Sequence, residues 1–155
     1  MDELQNGLKN KVICITGASG YIGSSLVSEL KKYSVKKIIR ISRKKNLITL
    51  NDIDDWVLDL EDFNSWLKIV KKSDIIFHLS GNTSIAVAEN DPEKTLVSEI
   101  LPITNLVKAS KELGRKPRVI YSSTATIYGL TEKLPVLESH KPVPVTSHDY
   151  NKFQA

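Results

Sequence analysis

Short apolar runs alternate with longer stretches of helical spacing along most of the chain. Five runs are dense enough to form buried strands: Lys11 to Thr16, Lys36 to Ser42, Asp55 to Leu58, Asp74 to Leu79 and Arg118 to Ser122. The fourth is almost unbroken in apolar residues, as expected where helices cover both faces of a parallel sheet. The stretches between them are amphipathic. Residues 21–33 place Ile22, Leu26, Val27 and Leu30 on one helical face, and Lys31 and Lys32 suit the negative end of its dipole. Phe63, Trp66, Leu67 and Val70 form the apolar face of a second helix. A long third helix runs from Pro92 to Leu113 on Leu96, Ile100, Ile103, Leu106, Val107, Ala109 and Leu113. Pro102 is a point for a kink in it, and Gly114 is its stop. A last helix opens near Ser147. Residues 1–10 read as a polar lead-in, 80–92 as a loop with a short helical piece, and Leu47 to Leu50 as a place for an extra strand. Prolines at 135, 142 and 144 mark a further loop.

Strands alternating with helices predict an α/β fold, a doubly wound parallel sheet in three αβα layers. Such sheets bind ligands at the carboxyl ends of their strands, and Gly17, Ser42, Asp59, Ser80 and Ser123 all fall there. The first of these ends is the most informative. The segment Thr16-Gly17-Ala18-Ser19-Gly20-Tyr21-Ile22-Gly23 follows a buried strand and opens a helix. Gly17 permits a tight turn, Gly20 lets a diphosphate approach the backbone, and Gly23 lets the helix pack close to the strand. The exposed N–H groups from Ser19 to Ile22, with the helix dipole behind them, favour an anion. The competing reading is a strand-turn-helix whose glycines serve tightness alone.

Composition narrows the partners. The chain has 155 residues, enough to bury a real core, and its hydrophobic share of 41% is ordinary. A net charge of +4 is spread over lysines at element ends, without the aromatic-plus-basic pattern of a nucleic-acid binder. A single cysteine, Cys14, sits within the first strand and reads as a core residue rather than half of a disulfide. No metal site is expected. There is no basic-then-apolar leader pattern, and no apolar run approaches the roughly 18 residues of a membrane span. The expectation is a cytoplasmic protein with no membrane partner.

The end of the second strand bears on which dinucleotide would bind. An acidic residue there usually holds a ribose 2′-hydroxyl, but this strand ends Arg40-Ile41-Ser42-Arg43-Lys44-Lys45. A serine hydroxyl and a guanidinium suit a 2′-phosphate, which favours NADP over NAD. Arg43 as a plain surface cation is the alternative. Asp59, with Leu60 beside it, is placed to meet an adenine amino group, or to cap a helix.

Three segments carry a family resemblance: the glycine turn, Asp74-Ile75-Ile76-Phe77-His78-Leu79-Ser80-Gly81, and Tyr121-Ser122-Ser123-Thr124-Ala125-Thr126-Ile127-Tyr128-Gly129. Together they resemble the extended short-chain dehydrogenase/reductase family, in its NAD(P)-dependent epimerase/dehydratase branch. The resemblance runs from Lys11 to Ala155. It implies a nucleotide-sugar substrate, hydride transfer to or from a nicotinamide, and a homodimer. It matches Thr124 to the catalytic Ser/Thr that hydrogen-bonds the reacting oxygen. Ser122 and Ser123 match residues lining the cofactor and substrate pocket. His78, Leu79, Ser80 and Gly81 match a stretch whose backbone passes the cofactor, and the His78 side chain reads better as a satisfied core histidine than as a catalytic one.

The family then requires Tyr-x-x-x-Lys, two residues on one helical face, in which the ammonium helps the phenol release its proton. The lysine also binds the nicotinamide ribose. Here the segment reads Ser147-His148-Asp149-Tyr150-Asn151-Lys152-Phe153-Gln154-Ala155. One register places Lys152 on the lysine and His148 on the tyrosine. The other places Tyr150 on the tyrosine and Gln154 on the lysine. The i,i+4 geometry favours the first, in which a neutral His148 imidazole accepts the proton. Two further departures are Glu99, where the family commonly has Asn, and Pro102-Ile103, where it has Gly-Thr. Family members run to roughly twice this length. The expectation is therefore a dinucleotide-binding domain over 11–155 that stops within the catalytic helix and lacks the C-terminal substrate-binding part. Two functions stay open: an NAD(P)-dependent epimerase, dehydratase or reductase, and a dinucleotide binder that has lost the catalytic tyrosine.

Overall fold

A computed structural model describes residues 3–43, 52–82, 84–131 and 133–155. The expected extra strand at Leu47 to Leu50 lies outside them. Five strands form one parallel sheet: β1 (Val12–Thr16), β2 (Lys37–Ser42), β3 (Ile53–Val57), β4 (Ile75–His78) and β5 (Arg118–Tyr121). Their order is β3-β2-β1-β4-β5, so the chain winds outward in both directions from β1. The helices are α1 (Glu3–Leu8), α2 (Tyr21–Leu30), α3 (Phe63–Lys72), α4 (Ile85–Asn90), α5 (Pro92–Glu112) and α6 (Ser147–Gln154), with a 3-10 turn at Ala125–Tyr128.

The chain divides into two compact units. The first holds Met1–Ser80 with Asn105–Ser122, and the second Gly81–Thr104 with Ser123–Ala155. The first unit contains the whole sheet. Side chains alternate across it with period two, which sorts the core into two layers. Ile13, Ile15, Ile38 and Ile75 pack with Leu8 of α1 and with Val27 and Leu30 of α2. Cys14, Ile39, Ile41 and Ile76 face the other way, against Trp66, Ile69 and Val70 of α3 and Leu106 and Ala109 of α5. Burial pushes the Cys14 thiol up to about 12, against a weaker opposing hydrogen bond with Ser73, so it is an inert core residue.

Several sequence expectations need adjusting. The lead-in contains α1, whose Leu8 is buried. Helix α2 ends at Leu30, and Ile22, expected on its buried face, is 61% exposed. The buried stripe is instead Gly23, Val27 and Leu30, because the close contact of this helix is made at a glycine. Leu96 and Val107 of α5 are likewise exposed. Asp59 does not cap α3. Asp62 does, with its side chain accepting from the Asn64 N–H.

Polar pairs fix the sheet's register. Arg40 and Asp55 are direct partners across β2 and β3, joined by two hydrogen bonds of 2.7 and 2.6 Å. The buried indole of Trp66 donates to the Leu60 carbonyl at 2.8 Å, which ties α3 to the loop before it. Trp66→Ala removes both the packing and this bond, and is expected to destabilise the protein by about 3–5 kcal/mol. A urea midpoint that hardly moves would contradict the placement of this side chain at the centre of its layer.

Candidate functional site

The first unit presents the glycine turn. Gly17 has φ +66°, and a Cβ there would lie 2.8 Å from the Ser80 nitrogen and 2.9 Å from the Leu79 carbonyl. No other residue fits between the ends of β1 and β4. A Cβ on Gly23 would strike the Gly17 carbonyl oxygen and come within 2.8 Å of the Ala18 Cα, so α2 starts in backbone contact with the turn. Gly20 is the N-cap of α2, in extended conformation, with no side chain capping the first turn. Tyr21 is 90% exposed, and Ser19 and Gly20 are exposed as well. The Gly20 N–H, expected to be open, is taken by the Gly17 carbonyl at 3.0 Å because the turn closes on itself, so the groups on the positive end of the helix are those of its first turn from Tyr21 onward.

Beneath the turn, the buried Thr16 hydroxyl gathers the end of β4. It accepts from the Leu79 and Ser80 N–H groups, each at 3.2 Å, and lies 2.7 Å from His78 Nδ1 and 3.0 Å from Ser80 Oγ. His78 is buried, edge-on to Trp66 and stacked on Tyr121. It is a core histidine, as its position in the strand suggested. The Ser122 N–H continues from the ladder, donating to the His78 carbonyl at 3.2 Å. Ser42 is half-buried and Arg43 exposed at the end of β2. Asp59 is exposed, with its carboxylate accepting the Glu61 N–H at 2.9 Å, and Leu60 is half-buried.

The second unit contains the residues read as proton-transfer candidates. Ser123 is exposed and Thr124 half-buried. Thr124 caps the 3-10 turn, accepting from the Thr126 N–H, and its hydroxyl lies 2.9 Å from that of Thr126. Thr126 donates its proton in a short bond to Asp149 Oδ1. The Thr124 proton is then the one shared with Thr126, which leaves a Thr124 lone pair as an acceptor. Asp149 also accepts from the Thr146 N–H at 3.0 Å, and Thr146 caps α6 in return, forming a capping box.

On α6, His148 and Lys152 are both buried at 8% exposure, whereas Tyr150 is 50% exposed. Lys152 forms a 2.8 Å ion pair with Glu99 of α5, itself only 3% exposed. The other Glu99 oxygen accepts the Asn82 N–H at 2.6 Å. A Cβ on Gly81 would fall 2.6 Å from Lys152 Nζ and 2.7 Å from Glu99 Oε1, so the pair lies directly against this glycine.

Sequence reading singled out the glycines, Thr124, His148 and Lys152, but gave no role to Thr16, Thr126 or Asp149. Thr146-x-x-Asp149 is a legible helix-start signal. Glu99 stood out as a departure, and its neighbours Leu96, Ile100 and Ile103 gave a second cue, an acid within an apolar helical repeat.

The sequence matches the NAD dependent epimerase/dehydratase family over residues 13–155. The chain belongs to that family. It is 28% identical to the UDP-glucose 4-epimerase of Mycoplasma genitalium over 133 residues, covering 81% of this chain and 39% of the relative. It is 26% identical to the dihydroflavonol 4-reductase of Zea mays over 132 residues, covering 78% of this chain and 36% of the relative. Among solved structures, the UDP-N-acetylglucosamine 4-epimerase of Methanobrevibacter ruminantium superimposes with TM-score 0.79 at 30% identity, over 94% of this chain and 48% of that one. The UDP-glucose 4-epimerase of Thermotoga maritima gives 0.79 at 25%, over 92% and 48%. The chain thus spans half or less of the length of these relatives. No helix among the described residues is long and apolar enough to cross a membrane.

Burial works to raise the pKa of Asp149. Hydrogen bonds from Thr126, from the backbone and side chain of Thr146 and from the Val145 backbone outweigh it, and hold the carboxyl below its usual value. A depressed folded-state pKa stabilises the fold above the unfolded value near 3.9, and that stabilisation is lost as pH falls through the folded one. Asp149→Asn should therefore lower stability at neutral pH and flatten the loss of stability as pH falls below the ordinary carboxylate range. Acid titration of urea midpoints checks this. Parallel curves for the two proteins would contradict the hydrogen-bonded carboxylate.

Proposed function

We propose that this chain supplies the dinucleotide-binding turn and the proton-transfer residues of an NAD(P)-dependent enzyme that epimerises, dehydrates or reduces a nucleotide sugar. The observation that carries this reading is the glycine turn: an uncapped helix start whose three glycines leave backbone N–H groups open to a pyrophosphate. The residues present fit such a group, since the position where a Cβ would obstruct it is Gly20, and only the Gly17 carbonyl lies near that point, at 3.2 Å. The nucleotide-sugar class rests on the printed activities of the epimerase relatives.

When bound, the nicotinamide supplies the acceptor or donor of the hydride. The chain's residues do the rest. The first-turn N–H groups of α2 hold the pyrophosphate. Ser42 and Arg43 meet a ribose 2′-phosphate, which favours NADP. Thr124 orients the substrate oxygen by turning its own hydroxyl proton to it from Thr126, which leaves the substrate's single hydroxyl proton for His148. His148 takes the proton from that hydroxyl as the carbon gives up its hydride, and Lys152 holds the ribose hydroxyls.

A second reading is favoured by one observation: the buried residue one turn before Lys152 is a histidine, and the nearby tyrosine is half exposed. On that reading the chain binds the dinucleotide without catalysing a reaction. Two measurements separate the possibilities. Fluorescence titration should show NADPH binding more tightly than NADH. Arg43→Asp should reverse the order, and Gly17→Ala should abolish both. An unchanged preference in Arg43→Asp would overturn the NADP assignment, and no binding of either cofactor would overturn the whole reading. In the whole protein, His148→Tyr should lower turnover if His148 is the working base, whereas a large gain would favour the non-catalytic reading.

A further inference from the structure

Glu99 is an acid on α5 paired with the last turn of α6, and nothing in the reading above uses it. It is 3% exposed, and each carboxylate oxygen has a partner in hydrogen-bond range. One accepts the Asn82 N–H at 2.6 Å, and the other pairs with Lys152 at 2.8 Å. Its position is held from both sides. Asn82 is locked to Ser84, accepting its N–H at 3.0 Å and donating to its carbonyl at 3.2 Å, while Ser84 caps α4. Gly81 provides the space the ion pair occupies, because even a methyl group there would meet both charged ends. The carboxylate and the ammonium are therefore fixed together rather than making an occasional surface contact.

The charge of Lys152 has opposite consequences for the two kinds of base that can occupy the position one turn earlier. A phenol acting as a base is an anion that becomes neutral, so a nearby ammonium helps to keep it ready. An imidazole is neutral and becomes a cation, so the same ammonium opposes proton uptake. His148 lies four residues before Lys152, on the same helical face, and both are buried. Within a buried environment an uncompensated ammonium at that spacing would act strongly. Paired with Glu99, it presents a dipole instead of a net charge.

We propose that Glu99 is a positioning residue that serves as the counter-charge for Lys152 and so allows His148 to take up a proton. The proposal rests on the reading of His148 as the proton acceptor, and it accounts for a histidine and a buried acid occurring in the same unit. The other titratable groups nearby are Asp149 and Tyr150 on α6, Glu89 on α4, and Tyr128 in the 3-10 turn. Asp149 is occupied by Thr126 and Thr146, and the Glu89 carboxylate accepts the Ser147 N–H at 2.9 Å. All four are the same in every variant below.

The test is the titration of His148 followed by NMR of labelled imidazole. The chain has three histidines, and His148→Gln identifies the signal. In Glu99→Gln the midpoint should fall by about one pH unit, because the ammonium loses the negative charge of Glu99. In Lys152→Met it should rise by a similar amount, because the carboxylate is left alone. The double variant should return close to the parent, and Glu99→Asp should stay near it. A change in packing alone would not move the two single variants in opposite directions. An unmoved midpoint in Glu99→Gln, or shifts of the same sign in both, overturns the proposal. Should Glu99→Gln fail to fold by circular dichroism, Lys152→Met decides: a rise supports the proposal and no rise overturns it. Cofactor titration of the same samples separates this from the redox reading. Shifted midpoints without NADH or NADPH binding would sink the redox reading alone, and binding with unmoved midpoints would sink the counter-charge alone.

Discussion

The ends of β1 and β4 are held together by the hydroxyl of Thr16. Where the two strands leave the sheet, ladder hydrogen bonds run out, and the Leu79 and Ser80 N–H groups would otherwise be stranded in a buried region. Thr16 accepts from both and shares a further hydrogen bond with the His78 ring. A valine of the same shape would fill the space and satisfy neither amide, a loss of about 1–3 kcal/mol for each group left buried and unpaired. The close passage of Gly17 over Leu79 and Ser80 depends on that arrangement, and so does the direction in which α2 departs.

The second unit is organised by carboxylates in a comparable way. Asp149 closes the start of α6 and draws Thr126, and through it Thr124, into a chain of hydrogen bonds. Glu99 joins the same helix to the loop at Gly81 and Asn82. Each acid is buried and each has its oxygens occupied, the condition under which buried charge is tolerated. The polar groups thus fix which side chains on α6 face inward: His148, Asp149, Asn151 and Lys152 are buried, and Tyr150 and Phe153 are not.

Much of the architecture was readable because it follows from periodicity. The five apolar runs became five parallel strands, and the glycine spacing located the turn. Legibility failed where a single local contact overrides the pattern. Ile22 fits an apolar helical stripe, yet the helix turns its Gly23 face to the turn, about 100° away. Asp59 and Asp62 are both plausible caps, and only the actual helix start separates them. Glu99 could be noted as unusual, but its partners lie 17 and 53 positions further from it along the chain in opposite directions. No local window contains such a contact. Membership of the epimerase/dehydratase family was visible in three segments together, whereas the substrate of the whole protein depends on length that this chain does not share with its relatives.

The carbonyl oxygen of Gly17 sits at the crowded centre of the glycine turn. It is the atom that a methyl group at position 23 would strike, and the nearest atom to one at position 20. Two of the three glycines are thus answerable to one oxygen, and the third is the residue that carries it. Positions 20 and 23 are coupled through that one oxygen, whereas position 17 answers to Leu79 and Ser80 across the ends of β1 and β4. A side chain at position 23 would have to displace the carbonyl outright, while one at position 20 would need it to give only slightly, so the two do not tolerate change equally.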